Sequence, residues 1–388
     1  MVLPPKVHSL TGRIDMTRMH KAFNAVKRNK GAAGVDNVSI NMFEANLEQN
    51  LQSLMYQLKH RGQYIPQPLL RVYIPKGKGK MRPLGIPTIR DRVAQEVIRS
   101  LLEPIFEPTF SNFSFGFRPG RNQHQAIEVI IQFRDDGYNF VVDADITGCF
   151  DNINHDLVID LIAQRVADGN ILNIVRQFLT AGVLDNGILQ PVDSGTPQGG
   201  VISPLLANIV LHQLDLRLTQ ENLNFVRFAD DFVIFCQNKQ DAEQAMTFVS
   251  SVLQNQLHLQ LSPEKSSVTS FHLGFDFLGF HFYNKYITIR QKSLEKIKDN
   301  IRNKTIRSHN LDQNVILTLN RTISGFANYF ATSFSNVKSQ LLRLDQWARK
   351  RIRCMKFNRI SKIDNQRLHI KHLQKLGLKA FCDAVKQN

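Results

Sequence analysis

Cysteine is scarce in this sequence, and the four that occur, Cys149, Cys236, Cys354 and Cys382, lie far apart with no C-x-x-C pair among them. That spacing supports neither a disulfide framework nor a zinc knuckle, and it suits a reducing compartment. Long apolar runs are missing as well. The opening MVLPPKVHSL has no secretory-type hydrophobic core, and no stretch reaches the ~18 uninterrupted apolar residues of a membrane span. The expectation is a cytoplasmic protein with no membrane partner. Internal repeats and low-complexity linkers are also absent. With 43% hydrophobic and 9% aromatic residues the chain can bury real cores, which excludes wholesale disorder. Its 388 residues exceed one ordinary core and suit two or three packed subdomains.

Acidic residues are few in one region only. Residues 286–388 carry 22 Lys/Arg against 6 Asp/Glu, whereas residues 1–285 carry 27 of each, so the whole net charge of +16 resides in the C-terminal quarter. A basic lobe beside a neutral body implies that one module grips a polyanion while the other does something else.

Apolar periodicity outlines the elements. From Met16 to Leu58 it predicts two helices joined by the Gly-rich KGAAGVDN. LLRVYIPKGKGKMRPLGIP predicts a basic hairpin, with a first strand from Leu69 to Ile74 and a second ending at Pro87. A helix bearing Ala94, Val97, Ile98, Leu101 and Leu102 follows, with Pro104 expected to end it. FSNFSFGFRPGRNQHQA places four phenylalanines among small polar residues ahead of two arginines. It reads either as a loop anchored by core rings or as a loop facing nucleic acid. FVVDADI predicts a covered strand over 140–146. Helices are expected near Leu157 to Val166, Ile202 to Leu218 and Ala242 to Leu257, with a Gly-punctuated loop carrying GTPQGG between the first two. FVRFADDFVIF predicts a hairpin, and a strand at Leu259 to Leu261 together with FDFLGFHF is expected to complete this sheet. Beyond Ile289 the pattern becomes helical and basic.

The order strand, helix, hairpin, helix, strand implies an α+β sheet domain followed by a helical bundle. Asp145 ends one strand and Asp230 and Asp231 sit at a hairpin turn. If those strands are neighbours, their carboxylates could hold divalent cations of the kind nucleotidyl transfer requires. Burying them among FVRFA and FVIF would be costly without cations, supplied either by metal or by Lys and Arg. Asp143, on the same side of its strand as Asp145, is the competing ligand. Asp151 is expected to cap or brace the following turn.

The ordered set RVYIPKGKGKMRPLGIPTIRDRVAQ, FSFGFRPGRNQHQA, VVDADITGCFDNINH, GTPQGGVISPLLANIVL, VRFADDFVIF, LSPEKS and FDFLGF resembles the successive blocks of group II intron reverse transcriptases. TISGFANYF and RLDQWARKRIR resemble their thumb or maturase segment. The resemblance implies a right-hand polymerase architecture: helical and hairpin fingers over 1–135, an antiparallel-sheet palm over 136–285, a basic helical thumb or maturase-like domain over 286–360, and a short basic tail over 361–388. It implies RNA-directed DNA synthesis with two Mg²⁺ ions, Mn²⁺ being a substitute, and with dNTPs, an RNA template and a DNA or RNA primer as partners.

Carried over residue by residue, the resemblance makes Asp145, Asp230 and Asp231 the catalytic metal ligands. It makes Lys76, Lys80, Arg82, Ile146, Phe150, Gln198 and Lys265 the nucleotide-binding set, with Phe150 excluding a 2′-hydroxyl and Lys265 a proton donor near the pyrophosphate. Arg118, Arg121, Arg349, Lys350, Arg351 and Arg353 are the expected nucleic-acid contacts. Phe228 stands where many relatives carry tyrosine, which leaves the ring and removes its hydroxyl. No cluster of His and Cys follows of the sort found in the endonuclease domain of many relatives, and residues 361–388 are too few to hold one. Group II intron RNA is one expected partner. CRISPR adaptation proteins, a phage-defence role and a splicing-only RNA-binding maturase are the alternatives.

Overall fold

The computed structural model describes residues 6–77, 80–196, 198–307 and 310–386, with the backbone alone at 76, 77, 80 and 386. The chain divides into two compact units, Met1–Val268 and Thr269–Asn388.

In the first unit, α1 (Met16–Arg28) begins behind Asp15, whose carboxylate accepts from Arg18 N at 2.8 Å, and it buries Met19, Ala22, Phe23 and Val26. The second expected helix is broken into α2 (Ile40–Ala45) and α3 (Leu47–Lys59) by Asn46, which leaves helical geometry. β1 (Leu69–Gly77) and β2 (Lys80–Ile86) form the expected antiparallel hairpin. α4 (Ile89–Phe106) runs through Pro104 instead of ending there. Proline leaves the carbonyl four residues back without its helical donor. Here that carbonyl belongs to Ser100 and accepts from Arg18 Nη1 at 3.3 Å, so the helix continues without an orphaned acceptor.

α5 (Gln123–Asp135), started by a reciprocal capping box between Asn122 and Gln125, leads into β3 (Phe140–Asp145). There follow α6 (Cys149–Asn152), α7 (His155–Ala163) and α8 (Gly169–Leu179). β4 (Val183–Asp185) and β5 (Ile188–Gln190) then extend the hairpin into a sheet of order β2-β1-β4-β5. α8 and this two-stranded arm occupy part of the stretch expected as loop. α9 (Ser203–Gln220) precedes the hairpin β6 (Asn224–Phe228) and β7 (Asp231–Cys236), followed by α10 (Lys239–Val252).

β3 joins that hairpin in a sheet of order β6-β7-β3-β8, whose last strand is β8 (Ser267–Ser270). The expected strand at Leu259 to Leu261 is irregular chain instead. Leu261 makes a single bridge to Ile146, and Pro263, which has no N–H to give a ladder, stands two residues on. One continuous apolar core joins α1, α3, α4, α7, α8 and α9 to the inner residues of β3 and β7.

In the second unit, FDFLGFHF does not complete the sheet of β3 as expected: its strands β9 (Phe275–Phe277) and β10 (Phe280–Tyr283) pair with each other and with β11 (Tyr286–Ile289) in a small antiparallel sheet of their own. The basic helices are α11 (Gln291–Lys304), α12 (Gln313–Phe330) and α13 (Lys338–Phe357), then the short α14 (Asp364–Arg367) and α15 (Ile370–Lys375). The aromatics of α12 are core: Phe330 is buried against Phe280 and Phe326, and Tyr329 donates to the Leu278 carbonyl at 2.7 Å.

The residues expected as a tail pack into this bundle. Phe381 is fully buried, and the buried Asp345 of α13 accepts from Phe381 N at 2.7 Å and Cys382 N at 3.1 Å. Asn320 of α12 grips the same segment, donating to Gly377 O at 2.7 Å and accepting from Lys379 N at 2.8 Å. A buried carboxylate satisfied by two backbone amides anchors the segment as part of the helical unit. Among the described residues no helix is long and apolar enough to cross a membrane.

Candidate active site

β3 and β7 are antiparallel neighbours, and their register places Asp145 directly opposite Asp231. Asp230 occupies the two-residue turn between β6 and β7 together with Ala229, a non-glycine residue with φ of 60°. The three aspartates are therefore gathered at one end of the palm sheet. Asp143 lies opposite Val233, two residues back along β3.

The segment Ser262 to Ser266 is fastened to the end of β3. Ser262 N donates to Asp145 O at 2.7 Å, and Ser266 Oγ accepts from Asp145 N at 3.3 Å. This anchoring brings the Lys265 ammonium onto Asp145 Oδ2 as an ion pair. Burial raises the Asp230 carboxyl above the usual range, the neighbouring charge of Asp145 adds to that, and Lys265 and Arg82 oppose it. Nearby, burial pushes the Cys149 thiol up to about 12, with the charge of Asp230 adding to the effect. The end of the sheet is thus a half-buried pool of negative charge with one ammonium already drawn in.

Among the described residues no group of three His, Cys, Asp or Glu side chains is placed to hold a metal ion. In chemistry alone the donors suit a divalent cation of the Mg²⁺ kind, being hard carboxylate oxygens gathered at one end of a sheet, where a cation would relieve their mutual repulsion.

Beside this end of the sheet lies a cavity of about 480 Å³, bordered by Arg71, Tyr73, Phe150, Asp151, Asp185 and Gln198. Phe150 meets the exposed Phe117 edge to face at 6.2 Å. Phe110 and Phe115 of the same aromatic loop are buried, so the loop both anchors in the core and presents one exposed ring, Phe117, to Phe150. Gln198 Nε2 donates to Asp151 Oδ2 at 3.2 Å, and its carbonyl accepts from Gly85 N at 2.8 Å. Asp151 therefore braces the loop that carries Gln198, and burial raises its carboxyl while Arg71, the Gln198 hydrogen bond and Arg82 offset the rise. Gly199 (φ 114°) meets β2, where a Cβ would stand 2.5 Å from Gly85 O. The glycine after Gln198 thus serves close packing of this loop on β2.

Arg71 is a cavity residue that the sequence does not single out. One arginine within an alternating strand gives no local signal, and it is the pairing of β1 with β2 and β4 that aims it into the cavity. Several expected contacts need correcting. Ile146 has only 1% exposure and is core, leaving its backbone alone for a ligand. Arg118 is nearly enclosed: it donates to Glu107 at 2.8 Å and to the carbonyls of Ser111 and Ser114 at 2.6 and 2.7 Å, fastening the aromatic loop instead of facing solvent. Arg121 braces that loop through Asn112 at 2.8 and 2.9 Å. The side chains of Lys76 and Lys80 lie outside the described residues.

In the second unit Arg349, Lys350 and Arg353 line a cleft of about 480 Å³ together with Arg359 and Lys362. Arg351 points elsewhere on α13 and donates to the Thr305 carbonyl at 2.9 Å.

A palm sheet ending in carboxylates, a fingers hairpin and a basic helical bundle are the parts of a right-hand polymerase. Residues 74–282 match the reverse transcriptase (RNA-dependent DNA polymerase) family, and residues 294–376 match the group II intron, maturase-specific domain. The chain belongs to the reverse transcriptase family, joined to a maturase-specific domain, and its class of chemistry is RNA-directed DNA polymerisation.

It is 34% identical to Protein YkfC of Escherichia coli over 296 residues, taking in 66% of this chain and 77% of that protein. It is 32% identical to the group II intron-encoded protein LtrA of Lactococcus lactis over 353 residues, taking in 74% of this chain and 57% of LtrA. Similarity extends to the mitochondrial Nuclear intron maturase 1 of Arabidopsis thaliana, 31% identical over 156 residues covering 36% of this chain and 22% of that protein. The chain thus spans little more than half the length of LtrA. The family generally uses divalent metal ions.

Proposed function

We propose that this chain extends a DNA or RNA primer with deoxynucleotides on an RNA template, and that its basic helical unit holds structured RNA, group II intron RNA being the favoured partner. The single observation carrying the first part is the register that sets Asp145 against Asp231 beside Asp230. In this reading 1–135 are fingers, 136–285 the palm, and the thumb runs from 286 through the docked segment after 361. The four cysteines, all free thiols, suit a reducing compartment such as the cytoplasm.

Asp145, Asp230 and Asp231 would hold two Mg²⁺ ions, which when bound supply charge neutralisation for the attacking and leaving oxygens. Everything else falls to the chain. Lys265 keeps the Asp145 carboxylate aimed, and would yield that oxygen to a bound cation. Arg71 in the cavity and Arg82 on β2, whose charge acts on both Asp151 and Asp230, supply the positive charge that a triphosphate needs. Phe150, supported by Phe117, closes the space a ribose 2′-hydroxyl would enter, while Gln198 holds the loop beside it through Asp151.

The test is extension of one labelled primer annealed to matched RNA and DNA templates, with dNTPs and Mg²⁺. The expected result is dNTP- and Mg²⁺-dependent product on RNA. No extension on RNA by folded protein that binds the template-primer contradicts the proposal.

A further inference from the structure

Ala229, immediately before Asp230, has the left-handed φ of 60° that a residue with a side chain adopts only where its surroundings impose it. The imposing groups are buried. Arg227 is 0% exposed, and its Nη1 donates to the Ala229 carbonyl at 3.0 Å. The same guanidinium meets Asp215 in a bidentate pair at 2.7 and 2.6 Å and donates to Asn208 Oδ1 at 2.9 Å. Asn208 passes its amide to the Gly116 carbonyl at 2.9 Å. Gly116 presses against the turn from that side, where a Cβ would stand 2.3 Å from Ala229 N. Asp215 and Asn208 both belong to α9, two turns apart on one face, so the turn carrying Asp230 is referenced to a rigid buried helix.

An Arg–Asp pair with neither side chain exposed is a weak source of stability, because desolvation cancels much of its attraction and apolar substitutes of similar size are often neutral. What apolar substitutes could not do is hold the Ala229 carbonyl. We infer that the Arg227–Asp215 pair is a positioning device for the polymerase reaction, fixing the Ala229–Asp230 peptide and through it the aim of the Asp230 carboxylate. The inference rests on the reading of Asp230 as a metal ligand. Arg227 touches no substrate; it acts through the turn.

The test replaces the pair as a unit, Arg227→Met with Asp215→Leu, and separately makes Arg227→Lys, which keeps the charge but cannot span Asp215, Asn208 and the Ala229 carbonyl together. Both are compared with the parent for melting temperature, template-primer affinity, Mg²⁺ dependence and extension kinetics. The expected result for the double variant is a folded protein with near-parental affinity and modestly lowered melting, since Asn208 Oδ1 and the Ala229 carbonyl lose a donor, with kcat lowered roughly ten- to hundredfold, a higher half-saturating Mg²⁺ and little change in KM for dNTP. Arg227→Lys should move the same way. A folded variant of either kind with parental kcat and Mg²⁺ dependence overturns the inference. If neither folds, Asn208→Ala, which removes one neutral bond to the guanidinium, is read by the same Mg²⁺ titration, and an unchanged curve overturns it. Asp230→Asn run alongside separates the two claims: if that variant stays active the metal-ligand reading fails first, and if it is dead while the Arg227 variants are normal only the positioning inference falls.

Discussion

Lys265 and Asp145 are 120 residues apart in the chain and form an ion pair at the end of β3, because Ser262 and Ser266 on either side of the lysine are bonded to the Asp145 backbone. Lys265 is more than half exposed, so the attachment is a solvent-screened pair worth about 1 kcal/mol at most. Lys265→Ala should therefore lower the half-saturating Mg²⁺ concentration by up to about fivefold, since the cation no longer competes with an ammonium for Asp145. A Mg²⁺ titration of primer extension checks this, and a raised requirement would show that the lysine assists metal binding instead.

Sugar selection is expected to depend on Phe150 and, more weakly, on Phe117. Phe150→Ala should raise ribonucleotide use relative to deoxynucleotide use by about tenfold or more, the scale on which reshaping a pocket changes discrimination. Phe117→Ala should move it in the same direction by less, since that ring only supports Phe150. The ratio of kcat/KM for dNTP and rNTP in the three proteins decides it. Unchanged ratios would free Phe150 from the role.

The basic helices make a prediction that separates neighbours on α13. Neutralising Arg349 and Lys350 together should weaken RNA binding and reduce its log–log salt slope by about 0.7–0.9 for each phosphate that is no longer neutralised, with Arg353, whose Nε donates to the Leu368 carbonyl at 3.0 Å, left in place. Arg351→Gln should leave that slope unchanged and lower stability instead, because its guanidinium is spent on the Thr305 carbonyl. Affinity across a salt series, with melting curves, distinguishes the two.

Asp168 ties the N-terminal segment to α8. It caps the helix at Asn170 N and Ile171 N and accepts from Thr11 N at 2.7 Å and Thr11 Oγ1 at 2.9 Å. Burial alone would raise its carboxyl, but the hydrogen bonds from Thr11, Ile171 and Asn170 prevail and hold it below the usual range. A depressed carboxyl contributes stability above its unfolded value of about 3.9 and loses that contribution as pH falls through the folded value. Asp168→Ala should cost about 1–2 kcal/mol near neutral pH, with the gap to the parent narrowing below about pH 4. Denaturation midpoints at several pH values test both parts.

Much of this was legible in local sequence, and the reasons differ by residue. FVVDADI and FVRFADDFVIF read as strands because apolar β residues surround their aspartates, and a hairpin turn at the Asp-Asp pair was legible, although the turn holds Ala229 and Asp230 while Asp231 begins β7. That Asp145 faces Asp231 was not legible, since register is set by pairing between segments far apart in the chain. Pro104 misled because the group rescuing its orphaned carbonyl, Arg18, lies on another helix. Arg118 looked like a phosphate ligand because sequence does not say which arginine of FRPGR turns inward to Glu107. The docking of Phe381 depended on Asp345, a carboxylate on α13 with no local partner in the sequence.

The central claim is that the carboxylates gathered by β3 and the β6–β7 turn carry catalysis through bound cations. Asparagine keeps the size of aspartate and removes the charge that holds a divalent ion. The most direct measurement is primer extension on RNA by Asp230→Asn and Asp231→Asn, with template-primer affinity and melting temperature taken on the same preparations. Extension reduced to background is expected in both variants, with affinity and melting near the parent. Extension at a near-parental rate by either folded variant would contradict it.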